Sequence, residues 1–270
     1  MAATIADDVH GFWAARWSGT LGWHKHDVNP HLQKYTDILM DRDGNNSIFV
    51  PLCGKSVDMA YLATNSKVSH VVGIDIVKQA AEEFAEDNPD LLLKEFQPES
   101  CDATQNKSIF HGENITIIVD DLFSLFDMQS EDRAKYITTG SSVSLEDDST
   151  SYLFDSIYDR ASMVAIEPSL RSKYVAYMGG LLRPGGSMLL VTLDRRKVAN
   201  DDAKSGGPPF SIDESEVRQL YESQDWVDSV EMLQELNDLT TEDDKKRWEK
   251  KGVLELYELV FVIRKKTSDM

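Results

Sequence analysis

Short runs of β-branched and aromatic residues alternate along this chain with longer amphipathic stretches. That alternation predicts an α/β fold: a mostly parallel sheet with helices on both faces. Predicted strands cover Ile48 to Leu52, Val68 to Ile76, Ile115 to Val119, Phe154 to Tyr158 and Ser187 to Leu193. Val230 to Leu236 and Leu254 to Ile263 are expected to form a C-terminal antiparallel hairpin at the sheet edge. Helices are expected over Lys78 to Glu86, over Asp213 to Glu222, and from Pro168 to about Leu182, where proline in the first turn gives up no intrahelical bond.

At 270 residues, the chain is expected to form one domain, with a helical N-terminal lid over about 8–40. Two stretches break the rhythm. Residues 128–151 carry Glu146-Asp147-Asp148 and read as an exposed acidic insertion, and Val198 to Pro209 reads as a loop. A formal net charge of −19 disfavours nucleic acid and anionic membranes as partners. The N-terminus has neither a basic nor an apolar leader region, and only Cys53 and Cys101 are present. A cytoplasmic, disulfide-free protein is expected.

In an open α/β sheet, ligands gather beyond the carboxyl ends of the strands. This rule places Leu52 to Ser56, Asp75, Asp120 to Leu122 and Asp159-Arg160 along one rim. An acid ending the second strand can accept hydrogen bonds from both ribose hydroxyls of an adenosine cofactor. The plainer reading of Asp75 is a helix cap or a solvated turn.

Gly54-Lys55-Ser56 is not a phosphate loop, because the residue where a Walker glycine belongs is Phe49, inside an apolar strand. G-x-G-x-x-G is absent too, which weakens a nicotinamide-dependent oxidoreductase reading. His24 and His26 lack a cluster to complete a metal site, and Asp41 to Asn45 reads as a turn because Asn46 and Leu52 stand where a calcium loop needs glycine and glutamate. Trp13 and Trp17, one helical turn apart, and nearby Trp23 can staple a helix to the core. They can equally form a lid, since an aromatic face attracts a sulfonium cation.

The chain resembles the thiopurine S-methyltransferase family. The resemblance rests on Trp13-x-x-x-Trp17, Gly22-Trp23-His24, Pro51-Leu52-Cys53-Gly54-Lys55-Ser56 with Asp58-Met59, and Val72-Gly73-Ile74-Asp75. Tyr158-Asp159-Arg160, Ala165-Ile166-x-Pro168 and Gly207-Pro208-Pro209-Phe210 follow in order. It implies a Rossmann-like seven-stranded sheet and S-adenosyl-L-methionine as cofactor. Carried over by motif, Trp13, Trp17, Leu52, Asp75, Leu122 and Arg160 would contact or enclose that cofactor, with Asp121 on the same rim. Trp23 would face the substrate, and Arg160 and Arg247 would stand near the acceptor as catalytic groups.

The implied reaction is methyl transfer to a thiol or other soft nucleophile of a small molecule, carried out by a monomer. Such an in-line displacement asks the protein to align reactants and exclude water, with no strong general base. Cys53 is expected to pack rather than attack. A halide or simple thiol methyltransferase of the same fold and a non-catalytic cofactor-binding protein are the rival readings.

Overall fold

A computed structural model describes residues 8–17, 19, 25–41, 45–97, 107–138 and 153–267. The chain divides into two compact units, 1–155 and 156–270.

The first unit opens with helices α1 (Val9–Trp17) and α2 (Pro30–Leu39). Asn29 caps α2, accepting the His31 and Leu32 amides, and Pro30 sits in the first turn. There follow β1 (Asn46–Val50), α3 (Val57–Ala63), β2 (Val68–Asp75), α4 (Lys78–Asp87), β3 (Lys94–Phe96), β4 (Ser108–His111) and β5 (Ile115–Val119). Helices α5 (Leu122–Asp127) and α6 (Ser130–Thr138) close the sequence of elements described in this unit, apart from the first residues of β6 (Phe154–Arg160).

Strand order here is β3-β4-β5-β2-β1. β2 pairs in parallel with both β1 and β5. Both central strands are almost wholly buried, which explains why they read as continuous apolar runs rather than alternating ones. Gly73 on β2 has a packing reason, because a Cβ there would lie 2.5 Å from Met59 Cε and 2.7 Å from Cys53 Sγ.

In the second unit come α7 (Arg171–Leu181), β7 (Leu182–Val198), α8 (Asp201–Ser205), α9 (Glu214–Glu222), β8 (Val227–Asn237), α10 (Glu242–Glu249) and β9 (Val253–Lys265). Its order is β6-β7-β9-β8, and β9 pairs antiparallel with both β7 and β8. The expected C-terminal antiparallel pair is present, with β8 at the edge.

Among the described residues nine strands are found rather than seven. The additions are β3 and β4, an antiparallel pair extending the sheet from β5. β3 is three residues long and exposed throughout, so it carries no apolar alternation to mark it. The stretch read as an exposed acidic insertion and the stretch read as a loop both contain helix. Residues 130–138 of the acidic stretch form α6, with Ala134, Tyr136 and Ile137 buried, while 139–151 lie outside the described residues. Residues 201–205 form α8, capped by the Asn200 side chain on the Ala203 amide at 2.9 Å.

Candidate active site

Between β1 and α3 the chain turns sharply, with Leu52 at φ 41° and Gly54 at φ 53°. Left-handed backbone is strained for leucine and natural for glycine. The turn is held to β2 by the Cys53 amide on the Ile74 carbonyl at 2.9 Å, and Ser56 caps α3 by accepting the Asp58 amide at 3.2 Å.

Asp75 ends β2 inside this turn. One carboxylate oxygen accepts the Gly54 amide and the other the Val77 amide, each at 2.9 Å. Burial pushes its pKa up to about 6, against the downward pull of the amides it accepts. A carboxylate offers about four acceptor sites, and with the Gly54, Val77 and Ile76 amides acting on it room for a further donor remains. The Asp120 amide donates to the Asp75 carbonyl at 3.1 Å, which brings the end of β5 alongside. Asp121 there caps α5 through the Phe123 amide at 2.8 Å, and the next residue, Leu122, is buried.

Trp17 covers the turn. It is buried with Val77 and Ala80, half-buried Trp13 and Ile76 pack against the same cluster, and a Cβ on Gly54 would lie 3.2 Å from its ring. Trp13, Trp17, half-buried Leu52 and Asp75, named from sequence, thus meet around one turn. Trp23 lies outside the described residues. Lys55 is turned toward α4, where its ammonium pairs with Glu83 at 2.9 Å and Asp87 at 3.2 Å. Cys53 is buried and its thiol pKa is pushed well up by burial, as suits a packing residue.

In the second unit, Asp159 and Arg160 are the last residues of β6, where the sequence reading had placed them just after the strand. Asp159 is fully buried and accepts the Tyr174 hydroxyl at 2.6 Å, the Ser162 amide at 3.1 Å and the Met163 amide at 3.2 Å. These bonds close a turn in which Ala161 takes φ 73°, immediately after half-buried Arg160. Burial raises the Asp159 pKa to about 6, opposed by the hydroxyl and amides it accepts. Arg247 is exposed on α10, its guanidinium 5.9 Å from the ring of neighbouring Trp248.

Sequence reasoning missed the roles of several polar partners. Asp58, quoted only as part of a motif, is buried and accepts the Asn29 amide at 2.7 Å, tying the start of α2 to α3. Tyr136 of α6 donates to Asp120 at 3.2 Å, and Tyr174 supports the Arg160 turn. For Tyr136 and Tyr174 the available signal was an acid at a strand end, Asp120 or Asp159, which when buried needs donors.

Among the described residues, no group of three or more His, Cys, Asp or Glu could hold a metal ion, and no helix is long and apolar enough to cross a membrane.

Comparison with known proteins gives this geometry a family. The family model described as thiopurine S-methyltransferase matches residues 9–266. A probable thiopurine S-methyltransferase of Yarrowia lipolytica is 32% identical over 212 residues, covering 78% of this chain and 83% of that one. The thiopurine S-methyltransferase of Vibrio atlanticus is 29% identical over 253 residues, covering 93% of this chain and 96% of that one. Among solved structures, an S-adenosylmethionine-dependent methyltransferase from Methanosarcina mazei superposes with a TM-score of 0.51 at 18% identity, covering 90% of this chain and 100% of that one. The chain therefore belongs to the thiopurine S-methyltransferase family and is an S-adenosylmethionine-dependent methyltransferase with a Rossmann-like fold.

Proposed function

We propose that Trp13, Trp17, Leu52, Asp75, Asp121 and Leu122 hold S-adenosylmethionine, and that Arg160 also contacts it. Arg160 and Arg247 then serve the methyl acceptor, a small-molecule thiol or similarly soft nucleophile, with Trp23 on the substrate side. The observation that carries this reading is the buried Asp75 carboxylate, which accepts the Gly54 amide on one oxygen and the Val77 amide on the other at the turn against which Trp17 packs.

The residues present fit the cofactor's chemistry. A buried anion with spare acceptor capacity suits a ribose diol, an indole suits an adenosine sulfonium, and Gly54 lets the Trp17 ring approach the turn closely. When bound, S-adenosylmethionine supplies a methyl group already activated by positive sulfur.

The chain's own part is to bind, align and exclude water. Trp13 and Trp17 close the apolar side of the turn. A guanidinium from Arg160 or Arg247 beside an acceptor thiol favours its thiolate, since an opposite charge within about 4–6 Å favours the ionised form. The thiol proton then leaves to solvent before transfer. Two cysteines in the whole chain support work in a reducing, cytoplasmic compartment, and the working unit is a monomer, testable by sedimentation.

The relatives' name makes heteroaromatic thiols the first acceptors to try. The test is transfer of radiolabelled methyl from S-adenosylmethionine to thiopurines, simple thiols, selenite, tellurite and iodide. Labelled thioether from at least one thiol is expected. Label on iodide alone would favour a halide methyltransferase, and cofactor binding without transfer to any acceptor would overturn the enzyme reading.

A further inference from the structure

One buried cation in the second unit has no part in the site as described. Arg195, on the C-terminal part of β7, is only 6% exposed. Its guanidinium donates to three main-chain carbonyls: Ala203 at 2.8 Å, Gly206 at 2.5 Å and Pro209 at 2.6 Å. It lies 5.5 Å from the centroid of the Trp248 ring, and its own amide donates to the Ser211 hydroxyl at 3.0 Å. Its neighbour Asp194 is engaged elsewhere, by Arg196 at 3.1 Å and Lys204 at 3.4 Å.

A buried arginine answered by carbonyls and an aromatic face acts as a spacer of fixed shape, because the planar fork sets three oxygens at defined positions. The segments it fixes lead to acceptor-side residues. Pro209 is followed by Phe210, whose amide donates to the Val164 carbonyl at 2.6 Å, just beyond the turn that carries Arg160. Trp248 is the α10 residue next to Arg247, and it is buried with Leu239, Val253 and Leu256.

We infer that Arg195 is a positioning residue for the methyl acceptor, holding the 203–209 segment and the Trp248 end of α10 in register so that the turn carrying Arg160, tied to that segment through the Phe210 amide, and Arg247 keep their places on the acceptor side. The inference rests on the reading of Arg160 and Arg247 given above. Lysine at 195 keeps the charge but cannot span three carbonyls or present a flat face to Trp248. Deleting the interaction from the other side, by Trp248→Leu, leaves the carbonyl bonds and removes the ring contact.

The experiment is steady-state kinetics of the full chain with one thiol acceptor, with S-adenosylhomocysteine binding by calorimetry and amide hydrogen exchange over 199–210. Arg195→Lys is expected to raise acceptor KM about tenfold with a smaller change in kcat, and to leave cofactor affinity within about twofold. It should also speed exchange over 199–210. Trp248→Leu should move acceptor KM in the same direction by less, and it supplies the kinetic test if Arg195→Lys does not fold.

An unchanged acceptor KM in whichever variant folds would overturn the inference, as would cofactor affinity and acceptor KM weakening together, which is the mark of a general structural loss. Arg160→Ala and Arg247→Ala separate the two readings. If both leave acceptor KM and turnover unchanged, the acceptor-side assignment itself has failed. If they impair the reaction while Arg195→Lys and Trp248→Leu do not, only the positioning role has failed.

Discussion

The Gly54 amide donates to the Asp75 carboxylate at 2.9 Å, so the turn after β1 and the end of β2 share one buried anion. Replacing Asp75 by alanine removes that acceptor from the turn and from a bound ribose together. S-adenosylhomocysteine affinity should fall about 10- to 100-fold, the equivalent of losing a hydrogen bond to a charged group. Because the Asp75 pKa is raised to about 6, wild-type affinity should also decline as pH drops below that value and the carboxylate becomes protonated. Calorimetry between about pH 5 and 7.5 reads this directly, and a flat affinity across that range would remove Asp75 from the site.

Gly54→Ala places a side chain at φ 53° and sets its Cβ 3.2 Å from the Trp17 ring. The left-handed backbone alone should cost about 1–2 kcal/mol. A lower melting temperature is expected, with weaker cofactor binding as Trp17 shifts. An alanine variant with wild-type stability and affinity would show that the turn tolerates a side chain and that Trp17 does not depend on it.

Arg160 lies at the end of β6 within a turn that Asp159 closes by accepting the Ser162 and Met163 amides and the Tyr174 hydroxyl. Arg160→Ala should lose much more activity than Arg160→Lys, since lysine keeps the charge without the planar donors. At saturating cofactor, the alanine variant should lose more with a thiol of high pKa than with one already ionised at neutral pH. Equal losses for both thiols would assign Arg160 to packing or cofactor contact.

His70 bonds Thr116 at 2.8 Å within the sheet, and its pKa is lowered to about 4, by burial first and by His111 second. The unfolded chain takes up a proton near pH 6.5 that the folded chain refuses until about 4. Acidification through that window therefore removes stability, by up to about 3 kcal/mol. Asp75 and Asp159 act in the opposite sense. Their raised pKa values make the folded chain take up protons before the unfolded one, which adds stability as pH falls from about 6 toward 3.8. His70→Gln should gain stability relative to wild type on moving from about pH 7.5 to 5, as read by paired thermal melts. A constant difference between the two proteins would mean that His70 does not titrate in this way.

Much of the fold was legible because parallel strands buried on both faces read as apolar runs, as in Val71 to Ile74 and Ile115 to Val119, and because turn chemistry is local. The residues proposed for the cofactor side come from a related reasoning: the strand-end rule and the Pro51 to Ser56 motif name positions along one rim. β3 was invisible, since three exposed residues become a strand only by pairing with β4. Helix α6 was hidden inside a polar stretch whose buried side chains show no apolar period long enough to announce them.

The sequence by itself determined the order of the seven longer strands and the helices recognised between them, the acid at the end of β2 and the tryptophans one helical turn apart. Only the tertiary structure decided which partners those groups have: the Gly54 amide for Asp75, Tyr174 for Asp159, Asn29 for Asp58, and three carbonyls for Arg195. The reason is physical. Periodicity and turns depend on near neighbours, whereas a buried polar group must find donors or acceptors wherever the folded chain places them, and leaving it unpaired costs about 1–3 kcal/mol or more.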